Sequence, residues 1–177
     1  MDISIGYMSN HVNIENDEVT IPYYAKHEDG KICGFFGSFS FLSNFFILEN
    51  GIFLDEVYYP SVEHCFQAAK YLPNQREQFL GVTAAKAKHL GKEAPNFNSK
   101  TWDKNKVTLM AALCRQKFTN NEKLKKMLLM TEDCHLEERN SWNDKFWGTD
   151  INGVGENNLG KILMNIRHDL ATKKEMF

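Results

Sequence analysis

Nowhere in the 177 residues do 18 apolar side chains follow one another, which excludes a transmembrane helix. The opening MDISIGYMSNHVNIEN has neither a basic stretch nor an apolar core, so it does not read as a signal peptide. Cys33, Cys65, Cys114 and Cys134 are scattered and form no CxxC pair, which argues against a disulfide framework. The six histidines fall into no HExxH or other ligand spacing, and no structural metal is expected. No GxGxxG follows a strand and no GxxxxGK[ST] occurs, so neither a dinucleotide fold nor a P-loop is licensed, and no cofactor is expected. Repeats, linkers and low-complexity tracts are absent as well. What remains is a cytoplasmic chain whose thiols serve packing.

What is present is enough for one core. Hydrophobic residues make up 42% of the chain, and 13 Phe, six Tyr and three Trp imply an aromatic interior or cleft. The formal net charge of −2 hides an asymmetry. Residues 1–60 set nine acids against Lys26 and Lys31, a balance of −7; residues 84–126 set eleven bases against Glu93, Asp103 and Glu122, a balance of +8. The basic half suits an anionic ligand such as a phosphate or nucleic acid. It equally suits a solvated surface balanced in space by the acidic half.

Residues 59–72, YPSVEHCFQAAKYL, hold the strongest local pattern. Pro60-Ser61 is a helix start with Ser61 as cap. Val62, Phe66 and Ala69 then make an apolar stripe, and Glu63, Gln67 and Lys70 a polar one beside it. Helix geometry separates Glu63 and Lys70 by roughly 10 Å along the axis. The first turn favours an ionised Glu63. A solvated face would carry the same residue types.

Around this helix the chain reads in order. Residues 1–17 are an unpatterned lead-in. Residues 18–25 and 31–36 suggest a hairpin about the turn His27-Glu28-Asp29-Gly30. Residues 37–46 alternate small polar and aromatic side chains with too little periodicity for a helix, and Ser43-Asn44 offers donors and acceptors at a turn. Residues 52–58 form a strand. Helical turns follow at 75–80, then a Thr83-capped helix to Leu90 closed by Gly91 at C′. A long helix starts at Ser99 or Thr101, with Trp102, Met110, Leu113 and Lys117 roughly aligned; Asn120-Asn121 breaks it, and residues 122–130 form another. The closing helix, 157–173, turns Leu159, Leu163, Ile166 and Leu170 inward. About six helices and three or four short strands give a mainly α (α+β), single multihelical domain.

The loop at 140–160 carries Gly148, Gly153, Gly155 and Gly160 and enters the last helix. Asp144 lies between Trp142 and Phe146-Trp147, a setting that desolvates a carboxylate and raises its pKa; a surface Asp capping a turn fits the same residues. An ionised Glu63 with a protonated Asp144 would make an acid/base pair for C–N or C–O cleavage.

Four stretches together resemble the NADAR/YbiA-like family of N-glycosidases: SFLSNFF within 39–46, YPSVEHCFQAAK at 59–70, NSKTWDKNKVTLMAALCRQKF at 98–118 and NDKFWGTDINGVGENNLGKILMNIR at 143–167. The resemblance covers about residues 35–170. It divides the chain into an N-terminal extension or edge hairpin at 1–34 and a catalytic domain at 35–177. It implies a mostly α-helical fold and cleavage between ribose C1 and a nitrogen. The substrate would be ADP-ribose on guanine bases of DNA or RNA, or alternatively a ribosylamino-pyrimidine phosphate of riboflavin biosynthesis. A module that binds ADP-ribose or NAD without cleaving it is the other alternative. No membrane partner is implied.

By position, Glu63 matches the family's catalytic glutamate, Trp102 its site tryptophan and Asp144 its site aspartate. Lys70 matches a lysine associated with a covalent step. Ser43, Asn44, Phe45, His64, Gln67, Lys88, Lys92, Trp102, Trp147, Gly148 and Asn157 make up the expected substrate-binding set, with Lys88 and Lys92 of the basic region set to bind phosphates. One departure stands out: members commonly read WGDG, where this chain has Trp147-Gly148-Thr149-Asp150, so Thr149 stands at the acid's place.

Overall fold

The computed structural model describes residues 30–95 and 97–174, together with the backbone of residues 13–15 and 18–20. Its centre is α1 (Val62–Ala68), a seven-residue helix buried on every side, including Glu63, His64 and Gln67. Ser61 caps it as expected: Oγ accepts the His64 amide at 3.3 Å and meets His64 Nδ1 at 2.7 Å. The other imidazole nitrogen, Nε2, lies 2.8 Å from Val82 O. A carbonyl can only accept, so Nε2 carries a hydrogen and the ring ties α1 to the next loop.

Helices wrap α1 in chain order. The 3₁₀ turns of Pro73–Phe79 lead to α2 (Ala84–Leu90), capped by Thr83. Then come α3 (Ser99–Thr119), capped by Asn98, α4 (Glu122–Leu129) and α5 (Asn158–Lys174). Leu159, Leu163, Ile166 and Leu170 all face the core, as their spacing predicts. Cys65 and Cys114 lie in that core, and burial pushes both thiols up to about 12, which suits packing rather than chemistry.

The strands are short and differ from the sequence reading. β1 (Asn13–Glu15) pairs antiparallel with β2 (Glu18–Thr20). β3 (Lys31–Cys33) pairs in parallel with β6 (His135–Glu137), Ile32 opposite Leu136. The expected hairpin between 18–25 and 31–36 is thus replaced by two other pairings, and residues 21–29 lie outside the described ones. The reason is burial: Ile32 and Leu136 are both inaccessible, and pairing them closes one core across the length of the chain.

Residues 52–58 are not one strand but a tight hairpin, β4 (Ile52–Leu54) and β5 (Val57–Tyr59). Asp55 and Glu56 take positive φ of 48° and 65°, as a two-residue hairpin turn requires, and Asp55 is held by Arg76. The aromatic stretch expected to be irregular forms a 3₁₀ helix over Gly37–Leu42, burying Phe39, Phe41 and Leu42 together. Among the described residues, no helix is long and apolar enough to cross a membrane.

Candidate active site

A cavity of about 1310 Å³ opens above α1. Its floor is formed by Glu63 and Gln67 of that helix and by Lys70 of the turn after it, so the three are neither solvated nor packed away. Glu63 is 5% exposed. Its amide donates to Asn44 O at 2.9 Å, and its Oε1 accepts Gln67 Nε2 at 2.8 Å. Contrary to the expectation of a carboxylate held ionised by the helix start, burial pushes Glu63 above the usual carboxylate range. The Gln67 bond and the charges of Lys88 and Lys70 oppose that push.

The expected helix to Leu72 stops at Ala68, and Lys70, in the turn that follows, reaches into an aromatic enclosure. Its Nζ lies 5.3 Å from the ring centre of Trp102, 5.8 Å from Phe97 and 6.0 Å from Phe66, and donates to Gly91 O at 3.2 Å. Desolvation by these rings lowers its pKa, Glu63 works against that, and Lys88 adds to it. Trp102 tilts over Phe66 at 4.8 Å, and Trp147 meets the same ring edge-on at 5.5 Å. The apolar face of α1 and the ligand cavity therefore share one aromatic wall.

The remaining walls come from distant segments. Ser43, Asn44 and Phe45 descend from the 3₁₀ helix. Lys117 supports them from below: it is fully buried, its Nζ donates to Ser43 O at 2.7 Å, and burial lowers its pKa to about 7. Lys88 of α2 stands over the rings of Phe45 and Trp142, at 5.5 and 5.7 Å. With Lys92 of the loop after α2 and Lys106 of α3 it gives the cavity a cationic side, drawn from the basic half of the sequence.

Asp144 lines the cavity too. Asn140 grips its backbone on both sides, at 2.9 Å each, and its Oδ1 accepts the Trp147 amide at 3.0 Å.

Three residues of the expected set stand elsewhere. His64 is buried beneath the floor in the cap already described. Gly148 lies behind the wall, where a Cβ would collide with Glu138 O. Asn157, with φ 51°, joins β6 to α5 by accepting the Glu138 amide at 3.0 Å and donating to Leu136 O at 2.8 Å. All three shape the site from outside. Thr149 is buried as well and donates to Glu137 Oε1 at 2.8 Å, while Asp150 pairs with Lys145 at 2.8 Å and caps its own turn. Asp150 does not line the cavity in place of the family acid.

Glu138 is the residue that sequence reasoning passed over. It lines the cavity, burial and the nearby Asp144 and Glu63 push its carboxyl up to about 8, and Lys88 opposes them. In the run His135-Leu136-Glu137-Glu138-Arg139 it looks like solvated charge. The available signal is strand alternation: Glu137 and Glu138 must point to opposite sides, so a solvent face accounts for only one of them. Among the described residues, no cluster of three or more His, Cys, Asp and Glu stands where it could hold a metal ion.

A deep cleft with a buried carboxylate on α1 and a desolvated lysine just past its end, walled by aromatics, suits a hydrolase of the N-glycosidase class. The chain belongs to the NADAR family: the NADAR domain model matches residues 23–171. It is 36% identical over 118 residues to N-glycosidase YbiA of Shigella boydii, covering 66% of this chain and 73% of that protein. It is 32% identical over 126 residues to N-glycosidase Npun_R5314 of Nostoc punctiforme, covering 68% and 80%. Riboflavin biosynthesis protein VVA0006 of Vibrio vulnificus is 36% identical over 132 residues, 73% of this chain but 35% of that longer protein. The solution structure of Escherichia coli YbiA superposes with a TM-score of 0.67 at 30% identity, covering 78% of this chain and 82% of that one.

Proposed function

We propose that this protein removes ADP-ribose from guanine bases of nucleic acid by hydrolysing the bond between ribose C1 and the exocyclic nitrogen. The observation that carries the reading is the pairing of buried Glu63 on α1 with half-buried Lys70, two residues past the end of that helix, beneath a cavity of about 1310 Å³. That volume exceeds the roughly 300–1,000 Å³ of ordinary ligand pockets, which favours a ligand larger than a ribose phosphate. Trp102, Phe97 and Trp142 offer faces for bases to stack on, and Lys88, Lys92 and Lys106 offer charge for a diphosphate.

The chemistry follows from the two side chains. The lone pair of the exocyclic nitrogen expels the ring oxygen from C1, which takes a proton, and leaves an iminium. Lys70, its ammonium state disfavoured by its aromatic surroundings, adds to C1 as the free amine. The original nitrogen departs with a proton, and the resulting lysine imine is hydrolysed by water. Glu63, a stronger base than an exposed carboxylate, takes a proton from the incoming water and stabilises the cation at C1. The products are the free base amine and ADP-ribose.

A second reading is favoured by a different observation: one relative is named a riboflavin biosynthesis protein. On that reading the substrate is a ribosylamino-pyrimidine phosphate, and the same bond breaks. Incubation with an ADP-ribosylated guanine oligonucleotide, and separately with a pyrimidine ribosylamine phosphate, decides between them. Release of ADP-ribose from the oligonucleotide is the expected result. Turnover of the ribosylamine phosphate alone would move the assignment to the second reading. A thermal shift with ADP-ribose but no cleavage of either would make the protein a reader.

A further inference from the structure

We propose that Glu138 is the acid of this reaction, passing its carboxyl proton to the nitrogen that leaves ribose C1. The assignment rests on the N-glycosidase reading above and adds a residue to it.

Three features of the structure point to Glu138. Its backbone is locked: the amide donates to Asn157 Oδ1 at 3.0 Å, and the carbonyl accepts the Thr149 amide at 2.9 Å with Gly148 pressed against it. A residue held this firmly at the end of β6 aims its side chain at one place, and that place is the cavity. Second, its Oε2 is buried without a hydrogen-bond partner. Buried polar atoms are almost always satisfied, so an unsatisfied one in a ligand cavity is a position for a ligand group to complete. Third, its surroundings favour the neutral carboxylic acid. Glu63 from α1, Asp144 from the following loop and Cys114 from α3 face it, with Lys88 of α2 the opposing cation.

Asp144 is the obvious rival, and its geometry speaks against it. Its Oδ1 is engaged by the Trp147 amide, and the residue anchors its own loop through Asn140. Glu138 differs in having a buried oxygen, Oε2, that no protein group satisfies. When the C1–N bond breaks, its electron pair goes to nitrogen and the Glu138 proton follows. The ionised Glu138 regains a proton through solvent from the one that water surrenders to Glu63, so the cycle closes with no net change in the enzyme.

The test is the pH profile of Glu138→Gln on whichever of the two substrates the wild-type protein cleaves. The amide keeps the neutral shape and a hydrogen-bond donor but has no proton to transfer. Wild-type kcat should fall as pH rises through about 8. E138Q should lose about 100-fold or more in kcat, the usual contribution of a general acid, with KM within about threefold, and its alkaline limb should vanish. Glu138→Asp, shorter but still an acid, should recover part of kcat together with the limb. An E138Q variant with near-wild-type kcat, or one that keeps the limb, overturns the assignment while leaving the glycosidase reading intact. If E138Q fails to fold, E138D decides alone: a profile without the limb overturns the assignment. Cleavage of neither substrate by the wild type sinks the glycosidase reading and this assignment with it.

Discussion

Gly91 sits so close to Gln67 that a Cβ on it would overlap the Gln67 side-chain carbonyl oxygen. The sequence reading gives this glycine a left-handed cap, yet its φ is −61°, an angle any residue adopts. What it provides is proximity: α2 ends hard against the face of α1 that carries Glu63, and the Gly91 carbonyl accepts the Lys70 ammonium or amine.

Gly91→Ala therefore acts on the site more than on the fold. Gln67 must swing away, and its bond to Glu63 Oε1 breaks. Overpacking of this kind costs about 1–3 kcal/mol of stability. Turnover should drop a further roughly two- to tenfold, the equivalent of one ordinary hydrogen bond. Denaturant melts and kcat on the same preparation check both; a variant less stable but fully active would show that Gln67 does not tune Glu63.

Glu63→Gln should abolish turnover and leave the fold in place. Glu63 is buried and pushed towards its neutral form, so an isosteric amide fits its surroundings. Wild-type-like cleavage by this variant removes Glu63 from the mechanism.

Trp102 presents one face to Phe66 and lines the cavity with the rest of its ring. Trp102→Ala should weaken binding of ADP-ribose by about 1–3 kcal/mol, as loss of a base-stacking platform does. A lowered melting temperature with unchanged affinity in the folded fraction would make the ring a packing element only.

Lys117 makes stability depend on pH. Its pKa is about 7 in the fold and near 10.5 in the unfolded chain, so between those values the unfolded state binds more protons. Stability should accordingly rise as pH goes from 7 towards 10, and below 7 the penalty of a buried ammonium is present in full. Lys117→Met removes that slope. The wild type should gain on the variant by roughly a few kcal/mol across this range in urea melts at successive pH values. A constant difference would mean that the lysine stays charged in the fold.

Much of this was legible because it is local. Ser61, Thr83 and the leucines of α5 follow from spacing and capping alone, and the pitch of a helix brings Glu63 and Gln67 together, although Lys70 joins them from the turn beyond Ala68. Sequence could not say that these residues form a cavity floor, because that depends on segments far apart in the chain; Met110 of α3 meets Asn44, 66 positions earlier, at 3.3 Å. The pairing of Ile32 with Leu136 is hidden for the same reason. Glu138 is hidden differently: its run of charges imitates a solvated surface, and only the backbone lock by Asn157 and Thr149 turns it inward. His64, Gly148 and Asn157 lie in motif stretches, yet they shape the walls rather than line them.

The central claim is that ribose C1 becomes bonded to Lys70 during cleavage, and borohydride trapping tests it most directly. Lys70 Nζ is the amine that the rings of Trp102, Phe97 and Phe66 desolvate next to Glu63. Borohydride added while the ADP-ribosylated guanine oligonucleotide is being cleaved should reduce the imine to a secondary amine. Mass spectrometry should then find ADP-ribose-derived mass on the peptide carrying Lys70. Lys70→Arg keeps the charge but cannot form the imine, so it should lose both the adduct and turnover. Cleavage with no adduct on Lys70, and an active Lys70→Arg, would contradict the covalent account and make water the group that attacks C1.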